Sequence, residues 1–246
     1  MSDAANALTA LVRTLARLLD EYRGGGEEAL RRLEPGTDVL ADARALLNAA
    51  SGRDDDPAST EARRLLADLE AALVAAPHPV GDSYWVVPGR LLAGEYPGAR
   101  DDAQARRQLR RLRWSGVTEF IDLTEAGEFG LRPYAPLLDG AARHRRFEIP
   151  DRDVPSLETM REILDAIDAA LAERRTVYVH CFGGIGRTGT VVGCWLVRHG
   201  TTADDALRQI ARLREGTSDS WWPSPETDEQ RAFVLTWPER PPSGSS

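Results

Sequence analysis

A cysteine, an arginine and a threonine late in the chain have the types and spacing for chemistry. Residues 176–190 read Thr-Val-Tyr-Val-His-Cys-Phe-Gly-Gly-Ile-Gly-Arg-Thr-Gly-Thr. Val177-Tyr178-Val179 is a β-branched and aromatic run that reads as a buried strand, ended by His180 and Cys181. Phe182, Gly183, Gly184, Ile185 and Gly186 make a glycine-rich turn, and Val191, Val192, Cys194, Trp195, Leu196 and Val197 continue as an apolar helix. Cys181 therefore stands at the mouth of a strand–loop–helix unit, with Arg187 six positions later at the helix start.

This arrangement predicts an anion site. The first turn of a helix has free N–H groups and the positive end of the helix dipole. A glycine-rich loop lets successive N–H groups, here from Phe182 to Arg187, point into one concavity sized for phosphate. Arg187 adds a planar two-pronged contact to phosphate oxygens. The same positive field should hold Cys181 as thiolate, the nucleophilic form. The Thr188 hydroxyl is placed to donate toward that sulfur.

The run His180-Cys181-x5-Arg187-Thr188-Gly189 resembles the signature loop of the cysteine-dependent protein tyrosine phosphatases, in their dual-specificity-like branch. The resemblance implies an α/β fold with a central, mostly parallel sheet flanked by helices. It implies hydrolysis of phosphate monoesters through a cysteinyl-phosphate, with no metal or other cofactor. It also implies an acid on a loop one helix before the signature. Pro150-Asp151-x-x-Val154-Pro155 resembles that loop, which points to Asp151, with Asp153 as the alternative. His180 is expected to orient the loop through hydrogen bonds rather than act as a base. Gln230 is a candidate to position the hydrolytic water, and Trp221 and Trp222 to form a rim or to pack.

The substrates implied are phosphotyrosine or dual-specificity protein substrates, or small phosphoesters. Relatives that act on phosphoinositides or inositol phosphates often carry basic residues inside the loop, and positions 182–186 have none. A phospho-binding pseudoenzyme is disfavoured by the intact Cys181, Arg187 and Asp151. Rhodanese-like and arsenate-reductase-like loops fit the trailing Arg-Thr-Gly poorly.

Composition bounds the remaining classes. The 246 residues carry a net charge of −8, which argues against nucleic acid as a partner. Every basic residue apart from the histidines is Arg, so a single arginine is weak evidence of function. Two cysteines without CxxC spacing suit a reducing compartment and a cytoplasmic location. His78, His144, His180 and His199 show no metal-ligand spacing. The N-terminus lacks signal-peptide features, and no apolar run is long enough to span a membrane.

These elements must position the loop. Helical periodicity marks residues 3–22, about 37–50 and 58–76, the last preceded by the acidic turn Asp54-Asp55-Asp56-Pro57. Pro77-His78-Pro79 is the best boundary, so we expect a helical region at 1–76, a phosphatase domain at 77–240 and a disordered tail at 241–246. Two strands around Pro88-Gly89 open the second region, and Tyr96 and Pro97 follow them. A helix over 101–114 capped by Asp101 leads to a buried strand at 117–123, and its loop puts Thr124 and Glu125 near the site. A strand over 144–149 and a helix capped by Ser156, with Leu157, Met160, Ile163, Leu164, Ile167 and Leu171 inward, lead to the signature strand. After it come a helix opened by Thr202 or Asp204 and a last helix started by Ser224-Pro225.

Overall fold

The Val177–Val179 run forms the middle strand of a five-stranded sheet. In the computed structural model, which describes residues 2–25, 39–49, 57–75, 78, 80–138, 140 and 142–238, the strands are β1 (Tyr84–Val87), β2 (Leu91–Gly94), β3 (Val117–Asp122), β4 (Arg143–Arg146) and β5 (Thr176–His180). Their order is β1-β2-β5-β3-β4, with β1 antiparallel to β2 and every other neighbouring pair parallel. A central parallel strand is covered on both faces, which is why β5 is an unbroken apolar run rather than an alternating one.

The chain divides into two compact units, Met1–Ala76 and Pro77–Ser246. The first contains α1 (Ser2–Gly25), α2 (Val39–Ala49) and α3 (Pro57–Ala75). α1 and α3 pack together and α2 packs on α3. Leu8, Leu15, Leu18 and Leu19 of α1 are buried, as the helical spacing predicts. The expected acidic turn at 54–56 and the tail at 241–246 lie outside the described residues.

The second unit has three layers. One face of the sheet carries Trp85, Leu92, Phe120 and Tyr178 against Leu109 and Leu112 of α4 (Asp102–Trp114). The other carries Leu91, Ile121, Val177 and Val179 against α5 (Leu157–Ala172) and α6 (Gly186–Arg198), with α7 (Ala203–Leu213) packed on α6 and β1 and α8 (Asp228–Leu235) on α6 and α7. Asp101 caps α4 by accepting from Gln104 N–H, Ser156 caps α5 by accepting from Thr159, and Thr202 caps α7 by accepting from Asp205. The β1–β2 turn has Gly89 at φ 69°, a conformation open to glycine without strain.

Three expectations are corrected. The strand expected at 144–149 is Arg143–Arg146, and it ends early because Phe147 and Ile149 turn to donate to Asp122 and Leu123 carbonyls beyond the β4 register. Leu157 is 47% exposed rather than inward, because it sits at the first turn of α5, before the helix meets the sheet. The last helix begins at Asp228, not at Pro225. Thr227 accepts from Gln230 N–H while the Gln230 side chain accepts from Thr227 N–H, and this capping box fixes the start three residues later. Thr227→Ala should remove the first bond and cost about 1 kcal/mol of unfolding free energy in urea titrations. A cost near zero would mean that the box does not set this helix start.

Candidate active site

The carboxyl ends of β2, β3 and β5 converge on the residues 181–187, as the crevice rule for open α/β sheets requires. The loop cannot close without Gly184. Its φ is +71°, and a Cβ there would fall 2.6 Å from Gly94 O and 2.7 Å from Glu95 N. Two backbone bonds hold the loop to its neighbours: Tyr96 N–H donates to Phe182 O at 2.9 Å, and Leu123 N–H donates to His180 O at 2.9 Å. Among the described residues, no protein acceptor takes the N–H groups of Phe182, Gly183, Gly184 or Ile185. Those of Gly186 and Arg187 lie in the open first turn of α6.

Cys181, Arg187 and Asp151 line one cavity of about 300 Å³, together with Phe182, Gly183, Ile185 and Gly186 of the loop. Cys181 is 3% exposed. Arg187 is almost wholly buried, and both of its Nη groups are engaged. Its Nη1 and Nη2 donate to the two Glu128 carboxylate oxygens, each at 2.6 Å. Nη1 also donates to Ile149 O at 3.0 Å, and Nη2 donates to Asp151 Oδ1 at 2.9 Å. Glu128 thus takes the guanidinium end-on, and the Nε–Nη2 edge is the one left for an anion, with Asp151 already touching it.

Asp151 lies in the turn Pro150–Asp153, closed by Asp153 N–H donating to Pro150 O at 3.1 Å. The Asp153 carboxylate instead accepts from its neighbour Val154 N–H and does not line the cavity. Gln230 is not in the cavity lining either. It is fully buried, its Nε2 donates to Asp153 O at 3.1 Å, and its Oε1 accepts from Glu226 and Thr227 N–H. It ties the Asp151 turn to the start of α8. The bond expected from Thr188 to the Cys181 sulfur is not made: the hydroxyl is buried with no partner among the described residues. Trp221 and Trp222 pack on each other, 5.0 Å apart, outside the cavity lining.

His180 is buried between β2 and β3. Its Nδ1 lies 3.2 Å from Cys181 O and its Nε2 lies 2.7 Å from Tyr134 Oη. A carbonyl only accepts, so Nδ1 carries the proton and Tyr134 donates to Nε2. Burial pushes the imidazole down to about 4, against the opposing pull of Asp122 and the Cys181 carbonyl. The ring is therefore neutral and locked as a spacer behind Cys181. Burial alone would raise the Asp122 carboxyl, but hydrogen bonds from His144 and Thr124 and the nearby His180 hold it well below the usual range. Arg146 pairs with it at 2.9 Å.

Thr124 and Glu125, expected near the site, do not line the cavity; Thr124 is buried in bonds to Asp122. Four lining or pairing residues were not singled out from the sequence: Glu128, Phe129, Arg152 and Glu226. Arg152 pairs with Glu226 at 2.9 Å across the cavity rim. The signal for Glu128 was its place in the loop after β3. The rule that names that loop does not say which carboxylate turns inward.

A family described as "Polymorphic toxin system, DSP-PTPase phosphatase" matches residues 96–201. The chain belongs to the cysteine-dependent protein tyrosine phosphatase superfamily, in its dual-specificity-like branch. Mouse dual specificity protein phosphatase CDC14B is 27% identical over 145 residues, covering 56% of this chain and 28% of that protein. The Arabidopsis thaliana phosphatidylinositol 3,4,5-trisphosphate 3-phosphatase and protein-tyrosine-phosphatase PTEN1 is 26% identical over 184 residues, covering 71% of this chain and 42% of that one. The chain thus spans less than half the length of either relative. The crystal structure of Tk-PTP in the active form superposes with a TM-score of 0.51 at 26% identity, over 63% of this chain and 95% of that one. The α/β fold with its mostly parallel sheet is that of this superfamily.

The His180 environment gives a pH test. The unfolded imidazole titrates near 6.5 and the folded one near 4, so the unfolded state binds the proton first as pH falls. This contribution to stability is complete above about pH 6.5 and is lost between there and about pH 4, to a total of about 3 kcal/mol. Urea unfolding across this window should show a steeper loss for wild type than for His180→Gln. Parallel pH profiles would contradict the buried neutral state.

Proposed function

We propose that the chain hydrolyses phosphate monoesters through a cysteinyl-phosphate at Cys181, acting on phosphotyrosine or dual-specificity protein substrates. The observation that carries this reading is one cavity lined by Cys181, Arg187 and Asp151 over a loop with unspent N–H groups. The Cys181 thiolate attacks phosphorus, the ester P–O bond breaks, and Asp151 gives its proton to the departing oxygen. Water then attacks the phosphorus, Asp151 takes its proton, and the S–P bond breaks to release inorganic phosphate. Arg187 and the N–H groups of 182–187 hold the equatorial oxygens throughout.

The Asp151–Arg187 contact supports this assignment. It sets the Asp151 carboxyl in the cavity of Cys181, beside the guanidinium that holds the phosphate in this reading. Asp153, spent on its own turn, is the weaker candidate. Gln230 and Thr188 enter as supports of the loop rather than as groups touching substrate. A thiolate nucleophile suits a reducing compartment, which supports a cytoplasmic location. The matched family's description supports a place in a polymorphic toxin system. A phosphoinositide substrate is the second reading, favoured by the PTEN1 likeness and weakened by the uncharged positions 182–186.

Hydrolysis of p-nitrophenyl phosphate without added metal is the expected activity. Cys181→Ser should abolish it, and Asp151→Asn should lower kcat by about 10²–10⁴, most for poor leaving groups. Activity that survives Cys181→Ser sinks the mechanism. An Asp153→Ala effect in place of the Asp151 one moves the acid. Phosphotyrosine peptides turned over faster than inositol phosphates would support the protein-substrate reading, and the reverse order would favour the second.

A further inference from the structure

Two cavities meet at a pair of phenylalanines. Phe129 and Phe182 pack with ring centroids 5.0 Å apart, and both rings line the cavity of Cys181 and a second cavity beside it. The second is larger, about 500 Å³, and apart from Phe182 none of its lining residues enters the proposed reaction. Tyr96 and Arg100 from the segment after β2 form one side, and Leu131 and Arg132 from the segment after Phe129 form the other. Among the described residues, no carboxylate lines it.

Its charge is available. Among the described residues, the Arg100 guanidinium makes no ion pair. Arg132 donates to Arg100 O at 2.9 Å and lies 3.3 Å from the exposed Asp102, a surface pairing of little strength. The cavity thus has apolar walls and a cationic rim on a chain of net charge −8. Phe129 is held at its edge in a costly way. Its φ is 50° and ψ is 21°, a left-handed conformation uncommon for a bulky residue, yet the residue is 64% exposed. Its neighbour Glu128 is fixed by Arg187, and the Phe129 ring packs on Phe182 at the divide.

We infer that the second cavity binds the residue next to the phosphorylated one on a peptide substrate and selects an anionic side chain there. The inference rests on the phosphatase reading above and names its substrate class more closely. The apolar stem of such a side chain packs on Phe129, Phe182 and Leu131, and its carboxylate or phosphate reaches Arg100 and Arg132. A peptide fits better than a small polyphosphate. The aromatic divide separates the two anion positions, and loop residues 182–186 offer no cation for a second phosphate close to the first.

Fluorescence anisotropy on the full-length Cys181→Ser chain tests this without turnover. Three phosphotyrosine peptides would differ only in carrying Glu, Gln or Lys on both sides of the phosphorylated residue. The Glu peptide should bind about 5–20-fold more tightly than the Lys peptide at low salt, with the ratio shrinking as salt rises. Arg100→Glu should reverse the order, and Arg132→Ala should reduce the ratio. Each comparison is a ratio within one variant, so a partly folded preparation does not change it. Equal binding of the three peptides, an unchanged ratio in Arg100→Glu, or tighter binding of an inositol bisphosphate overturns the inference. If wild type fails to hydrolyse p-nitrophenyl phosphate while the ratios hold, the hydrolytic reading fails and the subsite stands.

Discussion

The site depends on how one buried guanidinium is compensated. Arg187 has 2% of its side chain exposed, and an isolated charge there would cost several kcal/mol. Glu128 meets it with two short parallel bonds and is itself 4% exposed. Such a pair contributes little net stability against a well-packed apolar core, but removing one partner is expensive, about 3–5 kcal/mol. What the pair does supply is orientation. With Nη1 and Nη2 taken end-on by Glu128, and Nη1 also taken by Ile149 O, the fork cannot rotate, and its Nε–Nη2 edge stays turned to the anion.

The same pairing limits what Arg187 can do by charge alone. One guanidinium faces two carboxylates, Glu128 and Asp151, so the three side chains do not sum to a positive field. The attraction for phosphate must come largely from the backbone: the N–H groups of the loop and the open first turn of α6. This is why the loop is glycine-rich in a structural sense. Gly184 lets the chain fold against Gly94 and Glu95, an approach that a Cβ would block. His180, held neutral between Tyr134 and the Cys181 carbonyl, fixes the strand end from behind.

The candidate site's loop was legible because its parts are local. Strand, cysteine, glycines and arginine lie within fifteen residues, and their types alone specify an anion cradle. Asp151 was reachable through the family likeness, and the turn that aims it into the cavity separates it from Asp153. Glu128 and Phe129 were not legible. They act through contacts 59 and 53 positions away in sequence, and Phe129 adopts a backbone conformation that nothing in its residue type predicts. For Gln230 the sequence offered only a candidate near the site; that tertiary packing buries it completely and spends both ends of its amide on backbone groups depends on contacts up to 77 positions away. The start of α8 failed on a local competition, in which the Thr227–Gln230 capping box prevailed over Ser224-Pro225.

Orthovanadate binding to Glu128→Gln, measured by titration calorimetry against wild type, tests the central claim. The substitution keeps the shape and one acceptor but sets an amide N–H₂ against the guanidinium. If Glu128 holds Arg187 in its binding orientation, vanadate affinity should fall about 10–100-fold, or about 1.4–2.8 kcal/mol. Unchanged or tighter binding would mean that Glu128 merely occupies the anion's place, and would contradict the account.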